Sequence, residues 1–244
     1  READRATEGG TDREADRATE GGTDTTRRRL LAAGGAAATV GLAGCAGIST
    51  DFVTGSGPAE FEAEAATVAD ATLSETGYEL VDVTDDVRTE SFEVAGQTRE
   101  VEVTSHVAEY DRAVEILGER LQAAVFVAFS TPQIEVLGRT FNPVGDMSSE
   151  ELAEMVQSRY DGVQNLERRS EYETTVAGTD ARVVQYDARA TLSETGVTVD
   201  LVLHVADPVA VGGDFVVGIG AYPEAVGDGD AVRALLNGIE HPET

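Results

Sequence analysis

The only cysteine of the chain, Cys45, is the residue whose surroundings most clearly predict a chemical role. It follows Leu42, Ala43 and Gly44, a run that resembles the lipobox at which lipoprotein precursors are cut. Small residues leave the backbone open to a signal peptidase, and a cysteine thiolate is a strong nucleophile that can take up a diacylglyceryl group. A lone cysteine is otherwise most often a buried apolar residue. Here its position predicts lipidation of Cys45.

Two arginines, Arg27 and Arg28, begin the segment that precedes this cysteine. Together with Leu30 and Leu31 they resemble the motif of the twin-arginine export route. An apolar run of about 15 residues follows, shorter than the ~20 needed to span a bilayer and typical of a signal peptide. We therefore predict export by the twin-arginine route and a location on the outer face of the cell membrane, where the lipid anchor provides the contact with the membrane.

Composition sets the other domain boundaries. Residues 1–24 are a tandem repeat of a charged segment, which cannot bury a core and is predicted to be disordered, at or upstream of the true translation start. Residues 25–44 are the predicted signal peptide, and residues 45–58 a lipidated tether. Residues 59–241 are long enough for a single globular domain.

Acidic side chains dominate the composition. There are 46 Asp and Glu residues against 18 basic residues, all arginine, and the net charge is −28. Molar salt shortens the Debye length to about 3 Å and screens such repulsion, so we interpret the acidity as adaptation to high salt. An acidic face that holds cations or basic partners is the alternative. Nucleic acid is not an expected ligand, because phosphate binding needs clustered basic residues.

Hydrophobic periodicity predicts an α+β fold. Alternating apolar residues joined by short loops predict a C-terminal four-stranded antiparallel meander over residues 172–176, 184–192, 197–205 and 215–221. A hairpin is expected over 92–103, turning at Gly96, and a buried strand over 122–130.

Three helices are expected to pack against this sheet, each beginning at a capping residue. They are predicted over residues 67–77, from Ser148 onward and over 229–239. Ser148 and Glu151 form a capping box for the second helix, and Asp228 or Asp230 caps the third. Helices packed on an antiparallel meander give a layered sandwich of the α+β class.

Several short motifs within the predicted domain carry a resemblance to a known family. They are Gly77-Tyr78, Phe129-Ser130-Thr131-Pro132, Val136-Leu137-Gly138, Asn142-Pro143, Ala177-Gly178, Gly220-Ala221-Tyr222-Pro223 and His241. Together with the leader and the acidity they resemble the haloarchaeal lipoproteins of DUF6517, a domain of unknown function, over roughly residues 59 to 241. At the level of fold, the order of elements also resembles Mog1/PsbP-like sandwiches, which implies a binding or accessory role.

The candidate catalytic groups lack the partners that catalysis requires. His106, His204 and His241 are not accompanied by a Gly-x-Ser-x-Gly motif, a phosphate loop or a metal-spaced histidine pair. The acidic run 227–230 lacks the rest of a calcium loop and is expected to cap a helix. We therefore expect no metal, no cofactor and a binding role rather than catalysis. A hydrolase that uses dispersed carboxylates and a structural envelope component are the alternatives.

The irregular segment 131–146 is the most site-like part of the predicted domain. Long loops on rigid scaffolds often bind ligands, and this segment contains Phe141 and Asn142. These two residues are the predicted contacts for a protein or small-ligand partner. The alternative is an ordinary loop that covers the edge of the sheet.

Overall fold

A computed structural model describes residues 52, 57–94, 96–116, 119–136, 139–159, 163–191 and 198–242. The twin-arginine motif, the lipobox and Cys45 lie outside these residues, so the roles assigned to them stay predictions. Within the described ranges, nine strands form one large mixed sheet, and four more form two small two-stranded sheets.

The strands are β1 (Ala59–Glu62), β2 (Thr67–Val68), β3 (Glu79–Val94), β4 (Gln97–Ile116), β5 (Glu119–Pro132), β6 (Glu135–Val136), β7 (Arg139–Thr140), β8 (Val163–Val176), β9 (Thr179–Thr191), β10 (Thr198–Ala206), β11 (Val209–Val211), β12 (Asp214–Pro223) and β13 (Ile239–Glu240). The helices are α1 (Asp70–Thr76), α2 (Ser149–Arg159) and α3 (Gly229–Asn237), with a 3-10 helix at Pro143–Asp146. The order across the large sheet is β1-β4-β5-β12-β10-β9-β8, with β3 paired to β4 and β11 paired to β12.

The predicted α+β class is wrong, because the described chain is predominantly β with only short helices. The largest difference is β3, a 16-residue strand of which the periodicity indicated only the last residues. Most of its side chains are exposed on both faces, so hydrophobicity does not alternate along it. The four segments of the expected meander are strands β8, β9, β10 and β12, which are antiparallel neighbours in chain order.

Both faces of the large sheet are buried in its central part. Successive residues of a strand point to opposite faces. Val216 of β12 belongs to the cluster that contains Leu235 and Leu236 of α3, whereas Val217 belongs to the cluster that contains Leu152 of α2. Burial of each such side chain is worth about 1.5–3 kcal/mol, and these two clusters form the main core.

Two glycines let α3 lie directly on the backbone of β12. A Cβ atom at Gly218 would collide with Leu236, and one at Gly220 would come within 2.5 Å of Val232 Cγ1. The absence of side chains at these positions allows the close approach of the helix to the strand.

The helix ends agree with the sequence in part. The capping box is confirmed, since Ser148 N donates to Glu151 Oε2 at 2.8 Å and Glu151 N donates to Ser148 Oγ at 3.3 Å. The first helix ends at Gly77, which has the left-handed conformation (φ 73°), as expected. It begins at Asp70 rather than Thr67, because Thr67 and Val68 pair with β13.

Strands β3 and β4 continue past the end of the central sheet. β4 pairs with β5 only from His106 onward, and the earlier part of β4 pairs with β1 instead. The rings of Phe52 and Phe141 pack against Phe92 of β3 here, with centroid distances of 6.4 and 4.7 Å. This extension therefore has a small apolar core of its own.

Candidate functional site

Polar side chains from three strands and a helix meet around His204, which is 1% exposed. His204 Nδ1 lies 2.8 Å from Tyr172 Oη, and its Nε2 lies 2.9 Å from Gln185 Nε2 and 3.2 Å from Tyr222 Oη. The guanidinium of Arg233, on α3, stacks 3.9 Å from the centre of the Tyr172 ring. We call these five residues the His204 cluster. Because an amide nitrogen only donates, His204 Nε2 accepts and the ring proton lies on Nδ1.

The electrostatics of the His204 cluster favour the neutral forms of His204 and Tyr172. Burial, followed by the charges of Arg233 and Arg169, lowers the pKa of His204 to about 4. Burial raises the pKa of Tyr172 to about 12. A general base needs access to a substrate, and His204 is 1% exposed. The cluster therefore connects β8, β9, β10, β12 and α3 and is not arranged for proton transfer to a substrate.

A buried ion pair lies at the start of α3. Asp228, which is 5% exposed, accepts a hydrogen bond from Tyr78 Oη at 2.8 Å, and its other oxygen lies 2.7 Å from Arg112 Nη1. Asp228 occupies the expected N-cap position but makes no side-chain capping bond, because Tyr78 and Arg112 hold its carboxylate. Burial and the bond to Asp228 raise the pKa of Tyr78 well above its ordinary value.

A third buried polar group joins the two ends of the domain. His241 Nε2 lies 3.0 Å from Asp214 Oδ2, and that same oxygen accepts from the backbone N–H of Glu64 at 2.8 Å. The side chain of His241 is fully buried, and its Nδ1 has no hydrogen-bond partner among the residues that the structure describes. Asp214 thus fastens His241, which follows β13, and the segment after β1 to β12.

The three histidines lie in three separate places. His106 is near the surface, with Nδ1 2.9 Å from Asp85 Oδ1 and Nε2 3.8 Å from Glu62 Oε1. Across the described ranges, no group of three or more His, Cys, Asp or Glu side chains is arranged to hold a metal ion. No helix in these ranges is both long and apolar enough to cross a membrane.

The predicted contact residues Phe141 and Asn142 both pack against the domain. Asn142 is 4% exposed; its Nδ2 donates to Pro132 O at 2.9 Å, and its Oδ1 accepts from Val144 N at 3.2 Å. Phe141 is half-buried against Phe92. In this conformation the two residues fasten the loop to the sheet, and their role as partner contacts stays a prediction.

The exposed apolar side chains of the described chain are concentrated on β3. Four of the six large ones are Leu80, Val81, Val83 and Val87. β4 pairs with one side of β3, and no described strand pairs with the other side. The pairing shifts register once, between Leu80 and Asp82, and is regular after that point. We call residues 82–93 the β3 edge.

The β3 edge combines these valines with charge. It contains five carboxylates, Asp82, Asp85, Asp86, Glu90 and Glu93, and one arginine, Arg88. A strand with one unpaired side presents backbone N–H and C=O groups that can bind a further strand. The arrangement can therefore bind an extended chain by main-chain hydrogen bonds.

The described residues form a large β-rich sheet with buried polar clusters, and such a fold by itself implies no activity. Residues 65–240 match DUF6517, described as a domain of unknown function, and the chain belongs to that family. The family expected from the sequence motifs is thus confirmed. No curated protein and no solved structure matches the chain, so the likeness to Mog1/PsbP-like sandwiches has no support.

Neither the β3 edge nor the partners of His204 were predicted from the sequence. The β-branched residues Val81, Val83 and Val87 were the only indication of a strand before Phe92. His204 stands between Leu203 and Val205 in a run of buried residues, and a buried histidine requires hydrogen-bond partners. That requirement was visible in the sequence, but the identity of the partners was not.

Proposed function

We propose that this protein is an exported, lipid-anchored surface protein of a haloarchaeal organism, and that it binds a partner rather than catalysing a reaction. The β3 edge carries the proposal. It offers exposed Val83 and Val87 and a strand side with which no described strand pairs, the features by which sheets bind extended segments of other chains.

The leader supports the anchor. The arginine pair, the apolar run, the lipobox and Cys45 follow one another in the order that a lipoprotein signal requires. The excess of acidic residues and the absence of lysine support a high-salt habitat.

The buried polar groups support a binding role. His204, Asp228 and His241 are each engaged inside the fold and are shielded from solvent. A catalytic group must instead reach a substrate in a cleft. None of these three buried groups meets that condition.

The anchor can be tested in native membranes at molar salt. Protein expressed as the full precursor should be cleaved and should sediment with the membrane. Its new N-terminal residue, Cys45, should carry the mass of a diacylglyceryl group. The Cys45→Ser variant should be released, and the double variant Arg27→Lys, Arg28→Lys should remain uncleaved inside the cell. Recovery of both the parent and the Cys45→Ser variant as soluble protein would contradict the lipid anchor.

Binding can be tested with the same membranes. Proteins captured by the parent chain should be lost with Val87→Asp on β3, and kept with Arg168→Glu on the opposite edge strand β8. Saturable turnover of an ester, peptide, glycan or phosphate substrate, lost when two or three acidic residues are changed, would contradict the proposal and favour a hydrolase.

A further inference from the structure

We infer that the β3 edge pairs with the β3 edge of a second copy of this chain, antiparallel and centred on Val87. This inference rests on the binding role proposed above and names the partner. It is carried by the side of β3 with which no described strand pairs and by the charge pattern along the strand.

Symmetry limits the ways in which two copies of β3 can pair. Two identical antiparallel strands are related by a two-fold axis perpendicular to the sheet, so one residue must lie opposite its own copy. The same faces of the two strands are then continuous, and residues at equal distances from the central residue lie opposite each other. The centre of pairing is therefore a single residue of the regular part of β3.

With Val87 at the centre, the charges are complementary. Val87 meets Val87. Asp86 of each copy, which pairs with Arg88 of its own strand at 3.0 Å, also lies opposite Arg88 of the other copy. The next pairs outward are Asp85 with Thr89, Thr84 with Glu90, Val83 with Ser91, and Asp82 with Phe92. No two carboxylates lie directly opposite each other, and such like-charge pairs are the destabilising ones in a sheet.

The neighbouring symmetric registers lack this property. Centred on Asp86, the strand places that carboxylate opposite its own copy and Asp82 opposite Glu90. Centred on Arg88, it places the guanidinium opposite its own copy and Asp86 opposite Glu90. Of these three registers, only the one centred on Val87 places Arg88 opposite a carboxylate. It is therefore the register in which the single arginine relieves the repulsion between the acidic strands. Molar salt would screen the charge that remains.

A single introduced cysteine tests the register. In the full chain carrying Cys45→Ser, the change Val87→Cys supplies the only thiol. Residues directly opposite in an antiparallel pair have Cα atoms about 4.5–5.5 Å apart, within disulfide range. We expect a disulfide-linked dimer on mild oxidation at molar salt. The matched control Ser91→Cys lies on the same face of the same strand, but the two copies would be about 27 Å apart and should stay unlinked.

Charge reversal tests the same pairing without a cysteine. Arg88→Asp alone places two carboxylates opposite each other, and Asp86→Arg alone places two guanidiniums opposite each other. Each should raise the dissociation constant measured by sedimentation at least tenfold. The double variant Asp86→Arg, Arg88→Asp restores opposite charges and should return to the parent value. Circular dichroism should show that all three remain folded.

The outcomes separate this inference from the proposed function. A parent chain that sediments as a single copy at molar salt, with no disulfide from Val87→Cys, would overturn the self-pairing. If Val87→Asp still abolished capture of another protein from membranes in that case, the binding role would stand with a different partner. Equal cross-linking of Val87→Cys and Ser91→Cys would also overturn the register.

Discussion

The two outer strands of the large sheet differ in how their open sides are treated. β8 is interrupted by two register shifts, and Asn237 of α3 accepts hydrogen bonds from Thr174 and Thr175 of this strand. β3 has one shift near its start, and no described strand pairs with its other side, although Phe52 and Phe141 cover its face at Phe92. Bulges and covering elements prevent the addition of a further strand. The β8 side is thus closed, whereas no described strand or helix closes the β3 side.

The charges of the two strands differ in the same sense. On β8, Arg169 lies 2.9 Å from both Asp187 and Glu224, so its charge is paired within the domain. On the β3 edge, the single arginine, Arg88, pairs with Asp86 of the same strand at 3.0 Å, and four further carboxylates of this edge outnumber it. We therefore expect substitutions on the β8 side, or in α3 which covers it, to lower the free energy of unfolding. Substitutions on the β3 edge should instead weaken association with another chain.

The largest loss of stability is expected from Asp228→Ala. Removal of this carboxylate leaves Arg112 and the Tyr78 hydroxyl without their buried partner at the start of α3. The free energy of unfolding, measured by denaturant titration at molar salt, should fall by about 3–5 kcal/mol. The exposed residue Asp180 serves as the control, since Asp180→Ala should change the value by less than about 0.5 kcal/mol. A loss no larger than that of the control would contradict the role assigned to Asp228.

The His204 cluster should make the closed side sensitive to acid. The folded pKa of about 4 lies below the ordinary 6.5, so the unfolded chain binds the proton first as the pH falls. The contribution is fully present above pH 6.5 and is lost between pH 6.5 and 4, by about 3 kcal/mol. Carboxylates also titrate toward pH 4, and the comparison with His204→Gln isolates the histidine. Parallel pH profiles for the parent and the variant would show that His204 is not responsible.

A smaller loss is expected where α3 rests on β12. Gly218→Ala introduces a methyl group that collides with Leu236, and overpacking of this kind costs about 1–3 kcal/mol. Gly213→Ala is the matched control, because no atom lies within 4 Å of its added Cβ. Thermal unfolding should separate the two variants. Equal melting temperatures would mean that α3 can shift to make room.

The smallest effect on stability is expected on the open side. Val87 is 53% exposed, so Val87→Asp should change the free energy of unfolding by less than about 0.5 kcal/mol. The same variant should nevertheless lose association, as measured by sedimentation. A large loss of stability would show that Val87 contributes to the fold of the single chain, and the distinction between the two edges would then fail.

Strands buried on both faces were predictable, and strands exposed on both faces were not. β10 and β12 carry adjacent apolar residues that are buried on opposite faces, such as Val202 with Leu203 and Val216 with Val217, and their order and direction follow from the short loops between the segments. β3 carries polar residues on both faces, so its strand structure depends on pairing with β4 and leaves little pattern in the sequence. The α+β prediction was wrong because this strand and the extended β4 and β5 were not counted.

The partners of the buried polar residues could not be predicted from local sequence patterns. Asp228 was expected to cap α3 because aspartate before a helix commonly does so. Its actual partners, Tyr78 and Arg112, are more than 100 residues away in the chain. Local patterns carry no information on such distant contacts, whereas the capping box of Ser148 and Glu151 is local and was predicted correctly.

The tyrosines around α3 also give the protein a spectroscopic property. The chain has no tryptophan and six tyrosines, so its near-ultraviolet absorption, circular dichroism and intrinsic fluorescence come mainly from tyrosine. Tyr78 and Tyr222 are buried, and Tyr172 lies under Arg233. Separation of α3 from the sheet would expose all three to water at once. The optical signal of the unmodified protein therefore reports on the docking of this helix, without an added label.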